Sequence, residues 1–192
     1  MPLTRICVVI GATVFLTFAP GQAQADQPLA SQPYAQEQEH AIKSLSDEEI
    51  ASLRAGQGMG LAKAAELNGF PGPRHVLEHA EALQLTPSQR NRTQEVFRRM
   101  QSEAIHLGEL LIGREGELDR LFASKSVDPA KLDAATSAVA AIQGQLRAEH
   151  LRAHLLMMDV LTTAQIRRYG ELRGYGSGET SHDHRAAGHS NH

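Results

Sequence analysis

Apolar residues recur along two long stretches of the chain at helical spacing. Val96, Met100, Leu107, Leu111, Leu118 and Leu121 follow one another at three-, four- and seven-residue intervals. Leu132, Ala135, Val139, Ile142, Leu146, Ala153, Met157 and Val160 repeat the pattern. Each set makes a stripe of near-heptad period, so each stretch is predicted to be one amphipathic helix. The two stretches are framed by a repeated pentapeptide, Leu85-Thr86-x-x-Gln89 and Leu161-Thr162-x-x-Gln165. In each copy the threonine is an N-cap acceptor and the glutamine three residues on reaches back to it, a capping box that starts a helix. Pro87 at the first helical position supports the first start, and Leu161 with Ile166, spaced as a hydrophobic staple, supports the second. Between the stripes Ser124 to Asp128 reads as a turn, with Asp128 and Pro129 as cap and first residue of the returning helix. One antiparallel register then pairs Leu121 with Leu132, Leu111 with Ile142, Leu107 with Leu146 and Val96 with Met157. The predicted fold is therefore all-α: a long antiparallel helical hairpin. Its 37 residues from Pro87 to Ala123 would span about 55 Å at a rise of 1.5 Å each. So thin a hairpin has little interior, and its stripe needs cover from the N-terminal segment or from a second copy of the chain.

The remainder of the chain fills in around this frame. Ser46-Asp47-Glu48-Glu49 predicts a short helix with its own capping box, ending by Gly56. Leu61 to Leu67 and Arg74 to Leu83 predict two more, separated by Pro71-Gly72-Pro73. The alternating Gly56, Gly58 and Gly60 read as a loop, because no strand precedes them and no Lys-Ser/Thr follows. Residues 1–25 read as a secretory signal peptide: Arg5, an apolar run from Ile6 to Ala19, and Ala23-Gln24-Ala25 as the cleavage site. Residues 26–44 read as a flexible leader, 45–173 as the helical domain, and 174–192 as a disordered His-rich tail. A periplasmic location follows as an expectation, with no membrane span after signal cleavage.

Composition narrows the function. Cys7 is the one cysteine, inside the expected signal peptide, so the exported chain would have no disulfide, thiol nucleophile or thiolate metal site. Beyond residue 25, 18 basic and 22 acidic residues leave a net charge of −4, which argues against nucleic acid. Histidine supplies the candidate chemistry. His75-Val76-Leu77-Glu78-His79 matches the inverted zinc-peptidase pattern, but no sheet or cleft is predicted beside it. An incidental metal pair or plain helix surface is the simpler reading, and no enzyme is expected. His150 and His154 share a helix face, with His106 within reach across the hairpin. They form a second candidate for zinc, nickel or copper, against the alternative of a solvated helix face. His182, His184, His189 and His192, with Asp183 among them, form a flexible chelator at the C-terminus. No cofactor is required by any of this. Arginines mark the open end of the hairpin. Arg90, Arg92, Arg98 and Arg99 meet Arg147, Arg152, Arg167, Arg168 and Arg173 there, interleaved with leucine and methionine. Arg90, Arg92, Arg98, Arg99, Met100, Arg147, Arg152 and Met157 are thus candidates for holding unfolded chains, or else ordinary solvated helix faces.

An exported, all-helical chain with two Leu-Thr-x-x-Gln copies flanking a long hairpin resembles the Spy/CpxP family of periplasmic stress proteins, which includes the zinc-linked ZraP. The likeness covers roughly residues 73–175. It implies a curved helical homodimer that cradles unfolded periplasmic proteins without ATP, or that modulates an envelope sensor kinase. Leu85, Thr86, Gln89, Leu161, Thr162 and Gln165 would be its signature residues, holding the helix ends in place. The mildly acidic charge, the extra segment from Leu45 to Pro73 and the C-terminal histidines depart from the pattern. Helical-hairpin periplasmic metal sensors of the CnrX kind offer the rival reading, a heavy-metal sensor or buffer.

Overall fold

The computed structural model describes Tyr34 and residues 37–175; residues 1–33, 35 and 36, read above as signal peptide and leader, and residues 176–192 lie outside the described residues. Thr86 accepts from the Gln89 backbone N–H while the Gln89 side chain accepts from the Thr86 N–H, and this capping box opens a 37-residue helix, α4 (Pro87–Ala123). Asp128 caps the returning helix, α5 (Pro129–Val160), by accepting from the Lys131 N–H. Thr162 and Gln165 repeat the box at the start of α6 (Thr163–Leu172). Ahead of the hairpin lie a 3-10 turn (Glu37–Glu39), α1 (Asp47–Arg54), α2 (Lys63–Glu66) and α3 (Pro73–Glu78). Among the described residues there is no strand, and no helix is long and apolar enough to cross a membrane.

The two long helices pack antiparallel in the predicted register. Leu107, Leu111, Leu146 and Ile142 share one apolar cluster, and Val96 and Met157 share a second nearer the open end. Cover for the stripe comes from the N-terminal segment: Leu53 is buried in the first cluster, and Ile42, Leu45, Ile50 and Leu61 pack against it. Docking of the chain begins earlier than Leu45. Ser44 donates to the buried Glu115 carboxylate (2.8 Å) and the Lys43 N–H to Asp119 (3.3 Å), while Ile42 reaches over Gly116. Gly56, with φ of +62°, ends the descent from α1 in a conformation open to glycine, and a Cβ there would lie 2.9 Å from the Gln101 carbonyl oxygen.

Two short helices differ from expectation. The second spans only Lys63–Glu66, and the third begins at Pro73 and stops at Glu78, not Leu83. Past Glu78 the chain rewinds through single turns, with Leu83 N–H donating to His79 O (2.9 Å), and so buries Ala80 and Leu83. Burial of those two side chains outweighs continuation of a helix too short to be stable alone.

Candidate functional site

The paired motif closes the open end of the hairpin as one joint. Each glutamine oxygen is engaged by its own capping box, which leaves the side-chain amide N–H groups free to reach outward. Gln89 Nε2 donates to the Val160 carbonyl (3.0 Å) and to Gln165 Oε1 (2.8 Å). Gln165 Nε2 donates to the Leu83 carbonyl (3.1 Å) and to Gln89 Oε1 (3.1 Å). Each motif therefore ties down the backbone that leads into the other, while Leu161 is buried and Leu85 half-buried beside it. The sequence indicated two separate caps; their mutual bonding needed the fold. Gln165→Ala should cost about 2 kcal/mol, for a cap and two partly buried hydrogen bonds. Urea unfolding of Gln89→Ala, Gln165→Ala and the double variant should show a coupling of about 1 kcal/mol; strict additivity would mean that the two caps act alone.

Next to this joint α5 turns His150 and His154 inward. Both are buried, at 3 % and 8 % exposure, under the segment from Gly56 to Pro73 and not on a solvated face. His154 Nδ1 lies 2.7 Å from the Phe70 carbonyl, so the ring donates there through Nδ1. A Cβ at Gly72 would sit 3.1 Å from the ring's Nε2, so only glycine lets the chain pass so close. His150 Nε2 is enclosed and has no protein hydrogen-bond partner. Burial, and then the neighbouring His154, hold the His150 pKa below its usual value, keeping the ring neutral.

The two imidazoles line a cavity of about 770 Å³, together with Glu66, His75, Met100 and Arg173. Glu66 ties its wall. Its Oε1 accepts from the Tyr169 hydroxyl (2.6 Å), Arg173 Nε (3.1 Å) and the Tyr175 hydroxyl (3.1 Å), while Oε2 lies 3.7 Å from His154 Nδ1. Buried beside that carboxylate, the Tyr169 hydroxyl has a pKa pushed far above its usual value, first by desolvation and then by Glu66, so it stays a donor. This network was not foreseen, since it joins residues more than a hundred positions apart.

The other candidates fall elsewhere. His79 ends α3 as its C-cap, and Glu78 is held by His75 (2.7 Å) and Arg74 (3.1 Å), whose contacts keep the carboxylate pKa below its usual value. His106 is exposed and does not join His150 and His154. Among the described residues no three His, Asp or Glu side chains converge as a ligand set. His182, His184, His189 and His192 lie outside the described residues. Arg92, Arg98, Arg99, Arg147 and Arg152 are exposed and Arg90 half-buried, whereas Met100 and Met157 are core residues at 7 % and 0 % exposure. As client contacts those two methionines are corrected: heptad spacing turns them toward the partner helix, away from solvent. The apolar surface among the arginines is instead Leu155 and Leu156, which line a second groove of about 520 Å³ with Val96, Arg99 and Arg152.

A two-helix hairpin, sealed at its open end by a pair of capping motifs and carrying buried imidazoles beside the seal, defines the class of protein. A family model described as heavy-metal resistance matches residues 59–168, 110 of the 192 residues, and the chain belongs to that family, which is Spy/CpxP-like. No curated protein and no solved structure matches the chain. The matched segment contains both histidines, Glu66 and both motifs, but stops short of α1 and of the C-terminal histidines.

Proposed function

We propose that this is a periplasmic heavy-metal sensor or buffer, a binding protein and not an enzyme, that takes a borderline divalent cation such as zinc, nickel or copper. The observation that carries the reading is the buried pair His150 and His154: two imidazoles one turn apart on one helix face, both lining a shared cavity, with His150 Nε2 lacking a protein partner. Neutral imidazole suits these ions, and the Phe70 carbonyl bonded to His154 is the kind of outer contact that orients a ligating ring. Membership of a heavy-metal-resistance family supports the same reading. His75 also lines the cavity, but its Nδ1 is bonded to Glu78 at 2.7 Å.

Calorimetry of the chain from Asp26 onward with zinc, nickel and copper salts should show affinity of micromolar or tighter. Gly72→Ala, which crowds His154 without removing a donor, should weaken it about tenfold or more. No binding of any of the three metals would end the proposal.

A second reading, an ATP-independent chaperone or stress adaptor of the Spy/CpxP type acting as a homodimer, is favoured by the exposed Leu155 and Leu156 beside Arg99 and Arg152. It requires suppression of client aggregation at near-stoichiometric ratio, weakened by charge reversal at Arg98 and Arg99. Failure with several clients would remove it.

A further inference from the structure

We propose that the cation held by His150 and His154 is monovalent copper, with the thioethers of Met100 and Met59 as the remaining donors. This rests on the metal-binding reading above and goes beyond it in the oxidation state of the ion and in the sulfur ligands.

The nitrogen and oxygen groups around the cavity are already engaged. Zinc wants about four donors, which here would have to be nitrogen and oxygen. Glu66 accepts through Oε1 from Tyr169, Arg173 and Tyr175, and His75 is bonded through Nδ1 to Glu78 at 2.7 Å. Among the described residues no three His, Asp or Glu side chains converge as a ligand set. Charge points the same way. Lys63, Arg74 and Arg173 line the cavity against Glu66 and Glu78, so its wall has no excess of negative charge to offset a divalent ion. The cost of enclosing an ion rises with the square of its charge, and a single charge on uncharged ligands is the easier one to hold.

What the wall does offer is sulfur. Met100 lines the same cavity as both histidines and is buried, at 7 % exposure. The hairpin register that sets Val96 opposite Met157 sets Met100 opposite Ala153, a buried residue of α5 between His150 and His154. Its thioether therefore comes from the facing helix at the level of the imidazole pair. Met59 lines the cavity from the segment that covers it. The preceding Gly58 abuts His150, since a Cβ there would come within 3.9 Å of Nδ1. Met59 itself has a φ of +43°, between Gly58 and Gly60, in the left-handed region that side chains other than glycine seldom adopt. A backbone that suits glycine thus carries a methionine, and that methionine is 45 % exposed. The cavity has one enclosed sulfur and one in touch with solvent, a holder and an entry.

Thioether and imidazole donors together select monovalent copper over zinc. His150 Nε2, enclosed without a protein partner, supplies the first nitrogen; His154, held through Nδ1 by the Phe70 carbonyl, ligates through Nε2. Beyond Cys7 the chain has no thiol to compete for the ion.

The test uses the chain from Asp26 to His192 with His182, His184, His189 and His192 replaced by serine, so that those imidazoles do not compete. Copper(I) under argon, silver(I) as a redox-inert stand-in, and zinc(II) are titrated against chelators of known affinity. Both monovalent ions should bind more tightly than zinc, and X-ray absorption at the copper edge should show sulfur beside nitrogen in the first shell. The paired substitution Met59→Leu with Met100→Leu conserves side-chain volume and so keeps the packing. It should weaken copper and silver by at least about tenfold, the loss that even an outer-sphere contact brings, and leave zinc unchanged. Zinc bound more tightly than the monovalent ions, a copper shell free of sulfur, or a leucine variant that keeps its copper affinity or loses zinc as well would overturn the inference and leave the metal-binding reading in place. A chain that binds none of the three ions would remove both.

Discussion

Gly108→Ala will lift α1 off the hairpin and lower the unfolding free energy by about 2–3 kcal/mol. Gly108 lies in mid-α4, where glycine normally costs about 1 kcal/mol relative to alanine. It is needed because the α1 backbone comes down on it: a Cβ at 108 would stand 2.5 Å from the Leu53 carbonyl oxygen and 3.0 Å from its carbon. Backbone cannot step aside as a flexible side chain can, so α1 must move and uncover the first apolar cluster. Gly113, five residues along the same helix, has nothing within 4 Å of its would-be Cβ. Gly113→Ala should therefore stabilise by roughly 0.5–1 kcal/mol through helix propensity and backbone entropy. Urea denaturation of the two variants side by side checks the argument, and equal stability would mean that α1 does not sit so close.

Met157→Ala will cost more, about 3–4 kcal/mol, and lower the melting temperature by roughly 10 °C for a chain of this size. Met157 has no exposed surface and packs with Val76, Leu83, Val160, Leu161 and Tyr169, the cluster that seats α3 and α6 on the hairpin. Truncation leaves a void that close-packed neighbours fill only in part. Its sequence neighbour Met158 is 36 % exposed, and Met158→Ala should change stability by less than about 1 kcal/mol. Thermal unfolding followed by circular dichroism separates them. A mild effect at 157 would show that the open end is held by the paired motifs alone.

The proposed metal-binding pair and the packing of the open end meet at this end of the molecule. The Gln89–Gln165 joint, the Met157 cluster and the Glu66 network all bear on the last turns of α5, where the two histidines sit.

Much of the frame was legible in residue order. Thr86, Asp128 and Thr162 mark three helix starts, and the spacing of leucines gives the register of the hairpin, because a cap and a stripe depend on neighbours within a few positions. The site was legible only as a list of histidines. His150 and His154 share a face by spacing, but that spacing says nothing of what lies on the face. The segment that buries them, from Gly56 to Pro73, packs from some eighty positions away. Met100 and Met157 show the converse: their stripe positions already implied the interior, and the arginines around them drew them into a surface reading.

Residue order alone determined an all-helical hairpin with capped ends and the place of its turn, since helix nucleation and amphipathic period are written in local chemistry. Tertiary structure alone decided that two separate caps become one hydrogen-bonded joint, that Ile42 and Leu53 cover the stripe, and that two histidines are enclosed beside a carboxylate. Each of those depends on which distant surfaces exclude water together, and burial is a property of the packed chain that no short stretch of it possesses.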